Sequence, residues 1–394
     1  MSSDPTPQKT SGSLWAQSDV QRLVLVSIFA FVSFFFTLSS LPLWAVAGGA
    51  SEGSAGLVTT VMLACTVATQ LLVPAMIRTL GVGVTLAAGL IALGGASPFY
   101  LLSHDLWWLL VVSAVRGAGF GVITVMMPIA AAGMVPARRR GEVIGIYGLA
   151  IAIPNLICVP VGVAVTNAGN FYWVALFGAA PVLALFLVRG FAQFKPHEET
   201  PANQPVTPLG KSVRAITGIT LVLLVITLAG GAVLTFLPIV NTSATVTTLA
   251  LVILGLVAAV SRWGVGLLFD RTGSRLLLPV GITCGAVGMV ALALGIAQSS
   301  GALVLAGAFF LGISYGSAQN LTLLLAFALA GPDRQATASA MWNAAFDSGT
   351  AIGALLVGLV ASAGAGFSWT FAGCGILILV ATPLAVSAAN RARV

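Results

Sequence analysis

The chain has 394 residues, of which 58% are hydrophobic and 7% charged, and its mean hydropathy is +1.06. A soluble domain carries about 25% charged residues, so the composition excludes a soluble globular protein and describes an integral membrane one. The net charge of +7 does not point to nucleic acid, because the basic residues are scattered between apolar runs instead of forming a stripe.

A spanning helix needs about 20 apolar residues. Twelve segments meet this: 23–47, 55–77, 81–103, 106–133, 142–167, 171–189, 214–240, 244–268, 275–298, 301–330, 335–363 and 367–388. The first is too long for a signal-peptide core and lacks a convincing cleavage site, so it reads as a helix. The 45 glycines suit close packing of such helices. Cys65, Cys158, Cys284 and Cys374 all fall in apolar runs without metal or redox spacing and read as small core residues.

The first helix is rich in aromatics (Phe29, Phe31, Phe34, Phe35, Phe36) and holds no acid, while Ser33, Thr37 and Ser40 follow roughly helical spacing and are candidates for a cavity-facing stripe. The aromatics read first as packing. The second helix carries a lone amide, Gln70, and ends in Arg78-Thr79-Leu80-Gly81. In the fourth helix Arg116 lies 10 residues from the start, about 15 Å deep. A guanidinium there is costly. It either meets an anionic substrate or the coupling site, or clamps carbonyls and hydroxyls within the first half. The fifth helix opens on Arg140 and Glu142 and holds Asn155 beside Pro154.

Residues 190–213, proline-rich and polar, read as a linker, and the first 21 residues as a disordered cytoplasmic segment. The eighth helix contains Arg262 and runs into the charged stretch Ser261–Arg275, with Asp270, Arg271, Gly273 and Arg275. An acid there can face the positive end of a neighbouring helix, and its partner is expected near Arg140 and Glu142. The tenth helix carries Tyr315 and Gln319, four apart and so on one face. The eleventh carries Asp347, 12 residues past Gln335 and about 18 Å deep, with Asn343 one turn before it. A carboxyl at that depth can load and release a proton during a transport cycle. Gly117 with Gly121, Gly312 with Gly316 and Gly349 with Gly353 have the spacing that lets helices approach closely.

With the N-terminus inside, 15 of the 17 Lys and Arg residues fall on one side, and the other two, Arg116 and Arg262, lie within helices. The positive-inside rule then places both termini, and the tail 389–394, in the cytoplasm. The chain divides into two six-helix halves, 22–189 and 214–388. Val73–Gly81 is a weaker copy of Ser261–Arg275, and Pro136-Ala137-Arg138 parallels Pro332-Asp333-Arg334. Tandem six-helix repeats with a midplane site are a transporter plan.

The stretch Gly264-Val265-Gly266-Leu267-Leu268-Phe269-Asp270-Arg271-Thr272-Gly273-Ser274-Arg275 resembles the loop signature of the major facilitator superfamily, and Arg116-Gly117-Ala118-Gly119-Phe120-Gly121 resembles its fourth-helix motif. Gly148, Pro154, Pro160 and Gly162 form a loose version of the Gly/Pro pattern of its antiporters. The first-half loop departs from the family, with Ile77 where an acid is usual. The resemblance implies an all-α fold of twelve transmembrane helices in two pseudo-symmetric bundles. It further implies a gate formed by Arg262, Asp270, Arg271, Gly273, Arg275, Glu142 and Arg78. Many drug–proton antiporters of the family have an acid in the first helix; its absence here directs attention to Asp347.

The reading is a secondary transporter working by alternating access, with proton-coupled efflux of a small amphipathic or aromatic compound. Its candidate substrate and coupling residues are Arg116, Asp347, Asn343, Tyr315, Gln319 and Asn155. Uptake of a sugar or small organic anion, favoured by Arg116, is the alternative, as is lipid flipping on the same fold. A membrane enzyme would need clustered His, Cys or acids, whereas His104 and His197 both lie in loops. No phosphate-binding loop, cofactor or metal motif is present. The expected partners are the substrate, protons and lipids, with the chain a monomer in a bacterial inner membrane.

Overall fold

The structure, a computed structural model, describes residues 17–134, 140–191, 208–240, 243–331 and 334–392. In hydrocarbon the backbone cannot bond to water, so apolar runs must satisfy their N–H and C=O groups internally. The described residues are accordingly helical, with no strand among them. The first half contains α1 (Ser18–Leu38), α2 (Ser40–Ala47), α3 (Glu52–Leu80) and α4 (Val82–Leu90), the last continued by a π turn and a 3-10 turn to Leu101. Then come α5 (Leu106–Gly133), α6 (Arg140–Asn167) and α7 (Phe171–Gly178), the last extended by a 3-10 stretch to Phe191. The second half contains α8 (Leu209–Val240), α9 (Ala244–Thr272), α10 (Ser274–Ala297), α11 (Gly301–Ala330), α12 (Gln335–Val360), α13 (Gly366–Val380) and α14 (Thr382–Arg391).

Among the described residues, eleven helical stretches are long and apolar enough to cross a membrane, where the sequence led us to expect twelve. The eleventh, Thr337–Arg391, is 55 residues long and contains Gly364 (φ +107°) and Gly366 (φ +72°), both left-handed. Beyond them α13 packs against α10 and α8.

The helices assemble around two hydrophobic cores. One is built from residues between Val20 and Phe191, joined by Leu234, Leu251 and Ala351; the other lies between Ile216 and Ala388. The free cysteines fit the core reading in part: Cys158 and Cys374 are buried, Cys65 and Cys284 half-buried.

The repeat seen in the charged loops extends through whole helices. α3 and α9 are both 29 residues long. Each starts at a serine whose hydroxyl accepts a backbone N–H three residues on, Ser51 from Ser54 and Ser243 from Val246. Each ends at a glycine with positive φ, Gly81 (+80°) and Gly273 (+74°), whose N–H caps the carbonyl four residues back. α5 packs on α3 through Gly117 and Gly121, where a Cβ would strike the carbonyls of Met62 and Thr66. α11 packs on α9 in the same way through Gly312 and Gly316, against the carbonyls of Leu254 and Ala258. These glycines are therefore packing surfaces within each half.

Two expectations about the charged stretch change. The eighth helix was expected to stop at 268, but α9 continues to Thr272, so Asp270 and Arg271 lie on helical backbone and the turn to α10 is the single residue Gly273. The side chains of Glu142, Asp270 and Arg271 lie outside the described residues, as do most of the linker, the first 16 residues, Pro136–Arg138 and Pro332-Asp333.

Candidate functional site

The halves meet where α3 packs on α12 and α6 on α9. From the Ser51 end of α3 inwards, the seam with α12 is tight. A Cβ on Gly53 would strike Ser362 and the Gly358 carbonyl, and one on Gly56 would strike the Ala354 carbonyl and the Phe236 ring. Thr60 Oγ1 donates to the Ala351 carbonyl at 3.1 Å. Further along, Gln70 Nε2 donates to a carboxylate oxygen of Asp347 at 2.8 Å. The same amide nitrogen donates to Thr124 Oγ1 at 3.0 Å, which ties α3 to α5 as well as to α12. Asp347 is 7% exposed, and no Lys or Arg lies within 4 Å of it among the described residues.

Arg262 of α9 is linked to Asp347 through two shared tyrosine neighbours. Its Nη1 donates to Gln319 Oε1 at 3.1 Å, and its carbonyl accepts from Asn320 Nδ2 at 2.7 Å. Tyr147 of α6 and Tyr315 of α11 are electrostatic neighbours of both Arg262 and Asp347. The site thus holds one acid, one base and two phenols drawn from both halves.

Aromatic rings flank it. Phe34 stacks on Phe120 with centroids 4.1 Å apart, and Phe31 contacts Phe120 edge-on at 5.6 Å and Tyr147 at 6.3 Å. On the other side Trp342 stacks on Phe346 at 5.6 Å, and Tyr315 lies 6.0 Å from Phe346. Trp342 Nε1 is held by Thr322 Oγ1 at 2.9 Å. A separate groove of about 740 Å³ follows the α6/α9 seam, lined by apolar side chains such as Leu156, Pro160, Trp173 and Val252. None of the four polar residues above lines it.

Arg116 lies elsewhere. Its guanidinium is fully buried within the first half, with Nη1 donating to Ser97 Oγ at 2.8 Å. Nη2 donates to the Ser33 carbonyl, Ser33 Oγ and Thr37 Oγ1 at 3.0–3.1 Å. The Tyr100 ring sits 5.4 Å from it. A Cβ on Gly178 would press on Ser97 and on this guanidinium, so a glycine is required there. Ser33, Thr37 and Ser40 are not a cavity-facing stripe: all three are fully buried, the first two against Arg116 and Ser40 bonded to the Phe36 carbonyl.

A model of the family described as Major Facilitator Superfamily matches residues 23–354. The chain belongs to the Major Facilitator Superfamily. It is therefore a multi-pass membrane transporter and not an enzyme. Similar solved structures have the same fold. A bacterial homologue of the human lysosomal transporter Spinster, inward-facing and unoccupied, superposes with a TM-score of 0.75 at 14% identity, covering 96% of this chain and 98% of that one. A D-xylose–proton symporter gives 0.70 at 17% identity, with 93% and 95% covered. The peptide transporter POT, in a mutant form in complex with alafosfalin, gives 0.75 at 14%, with 97% and 96% covered. Among curated proteins, sequence comparison finds no match.

Within this superfamily chain, the candidate residues separate into groups. Asp347, Tyr315 and Gln319 come together at the seam, and Arg262, which the sequence grouped with the gate, joins them there. Asn343 turns back onto its own helix, donating to the Ser339 carbonyl at 2.9 Å, and Asn155 is half-buried on α6. Arg78 and Arg275 are exposed beside the glycines that end α3 and α9. The sequence reading passed over Tyr147, met Phe120 only as part of the fourth-helix motif, and raised Gln70 as a polar candidate without pairing it with Asp347. A lone amide in the middle of an apolar helix was the available signal for Gln70. Tyr147, one more aromatic residue in an apolar run, offered none.

Proposed function

We propose that the protein is a proton-coupled secondary transporter of a small amphipathic or aromatic compound, working by alternating access. The observation that carries this reading is Asp347: a buried carboxylate at mid-helix, on the seam between the halves, held by a neutral amide instead of a cation. An ionised carboxylate accepts a charge-assisted hydrogen bond from Gln70, about twice as strong as the neutral bond left after protonation. Proton loading therefore loosens the bond that ties α3 to α12. The aromatic residues around the site supply an apolar, stacking surface for the cargo.

We read the 55-residue stretch Thr337–Arg391 as two crossings, because a straight helix of that length would measure about 80 Å against a hydrocarbon core of about 30 Å. The halves are then 22–189 and 214–388, joined by the linker 190–213, with both termini in the cytoplasm of a bacterium and the chain a monomer in its inner membrane. The tight Ser51 end is the outer side, closed in this state. The gate around Asp270, with Arg271, Glu142, Arg78, Gly273 and Arg275, lies at the cytoplasmic end. Arg116 acts as a clamp inside the first half.

For direction, the loose Gly/Pro pattern of α6 and the aromatic surroundings favour efflux in exchange for protons. A second reading, uptake of a small organic anion together with a proton, is favoured by one observation, the presence of Arg262 in the site. The test is a compound screen in inverted membrane vesicles with an imposed pH gradient. Exchange is expected to release protons from the lumen when a cargo is added outside, and co-transport to carry protons in with it. Cargo flux unaffected by collapsing the gradient, with no proton movement, would overturn proton coupling.

A further inference from the structure

The two halves place side chains in the same register but with different charge. Gln70 and Arg262 each lie 11 residues before the glycine that ends their helix, Gly81 and Gly273. Their partners match too. Gln70 donates to Thr124 and Arg262 to Gln319, and each partner lies three residues past the second glycine of its helix-packing pair, Gly121 and Gly316. The halves differ across the seam. Gln70 meets the carboxylate of Asp347, whereas Arg262 has Tyr147 as its electrostatic neighbour from α6 and no carboxylate within 4 Å among the described residues.

A guanidinium at mid-helix needs compensation. Gln319 engages Nη1 of Arg262, while its Nε–Nη2 edge makes no hydrogen bond among the described residues. That edge has the geometry for a bidentate carboxylate. One guanidinium with one open edge suits a monoanion, since the other mid-helix cation, Arg116, is fully buried inside the first half with both Nη atoms held by hydroxyls and a carbonyl.

We propose that the cargo site takes small aromatic monocarboxylates, with the carboxylate on the Nε–Nη2 edge of Arg262 and the ring against Tyr147 and the Phe31–Phe34–Phe120 cluster. This rests on the reading of the seam as the cargo site of a proton-coupled transporter. It selects co-transport over exchange, because an anion bound near Asp347 is repelled by the ionised carboxylate and accepted once that carboxylate holds a proton. The titratable groups facing Asp347 are Tyr147 from α6 and Tyr315 from α11, both of which also face Arg262 of α9, and α3 contributes the neutral Gln70.

The test is binding to the purified full chain. Small aromatic compounds, each in its carboxylate, amide and amine form, are screened for a shift in thermal midpoint, and dissociation constants are then measured for the hits. Hits are expected among the carboxylates. Arg262→Gln is expected to weaken them about tenfold or more, the scale of a lost charge-assisted pair, and Arg262→Lys to keep the preference for carboxylate over amide at lower affinity. Asp347→Asn is expected to keep carboxylate binding and to flatten its rise at lower pH, with probes that stay ionised throughout. Hits concentrated among amines or amides, an absence of carboxylate hits across the panel, or carboxylate binding undiminished in Arg262→Gln would each overturn the proposal. These outcomes are separate from proton coupling, which the vesicle assay reads by itself.

Discussion

Gln70 and Asp347 belong to different halves of the molecule, and their side chains meet at 2.8 Å. Gln70 also holds Thr124 at 3.0 Å, so one amide fixes the acid of the second half against two helices of the first. The carboxylate accepts a hydrogen bond whose strength depends on its proton, and the amide that donates it cannot titrate. The seam therefore responds to one titratable group at this point.

Asp347→Asn keeps the shape of the pair and removes the proton site. The amide can still accept from Gln70 Nε2, so insertion and folding are expected to survive. In proteoliposomes the variant is expected to exchange cargo across the membrane at equal concentrations while failing to concentrate it under a pH gradient. Retained accumulation driven by that gradient would show that the proton is carried elsewhere.

Gln70→Leu removes the donor and leaves a buried carboxylate unsatisfied, a loss of about 1–3 kcal/mol. The thermal midpoint is expected to fall in the otherwise unaltered protein. It is expected to fall by less in the Asp347→Asn background, where the group left unpaired carries no charge. Equal losses in the two backgrounds would mean that Gln70 acts through Thr124 and α5 alone.

Much of this arrangement was legible from residue types. The all-helical class, the long apolar spans and the matching ends of α3 and α9 at Gly81 and Gly273 follow from apolar run lengths and charge position, which the bilayer constrains strongly. What each buried charge faces was not legible. Arg116 and Arg262 look alike in sequence, each a lone Arg in an apolar helix. Their fates differ because Ser33, Thr37 and Ser97 converge on the first, while Gln319 alone engages the side chain of the second among the described residues. Those partners lie 19, 79 and 83 residues from Arg116 on one side and 57 from Arg262 on the other, beyond the reach of helical spacing. The extent of α9 was missed for a local reason: Asp270 and Arg271 lower the hydropathy of a segment that remains helical up to Gly273.

Arg116→Leu tests the clamp. The substitution removes the donor to Ser97, Ser33 and Thr37 together and leaves their oxygens buried. The expected cost is about 1–3 kcal/mol for each buried oxygen left without a donor. It should be read as a large drop in thermal midpoint or in folded yield. Cargo affinity in the protein that does fold is expected to change less than about twofold, because Arg116 is walled off from the seam. A selective loss of affinity at unchanged stability would instead place Arg116 in the cargo path.

Gly56→Val tests whether the Ser51 end of the seam must open. A Cβ at Gly56 would meet the Ala354 carbonyl of α12 and lie 2.7 Å from the Phe236 ring of α8. α12 would have to move away, because its backbone carbonyl cannot rotate aside as a flexible side chain can. Overpacking of this kind costs about 1–3 kcal/mol, and here it falls on the closed state while sparing the state in which the halves part. The variant is expected to reach the membrane in normal amount, to transport poorly, and to expose the Ser51 end. A cysteine introduced at Thr60, whose hydroxyl now donates to the Ala351 carbonyl, should react faster with a membrane-impermeant thiol reagent in Gly56→Val than in its absence. The native thiols must first be replaced by serine or alanine. Unchanged labelling together with unchanged transport would mean that α3 and α12 do not close on each other during the cycle.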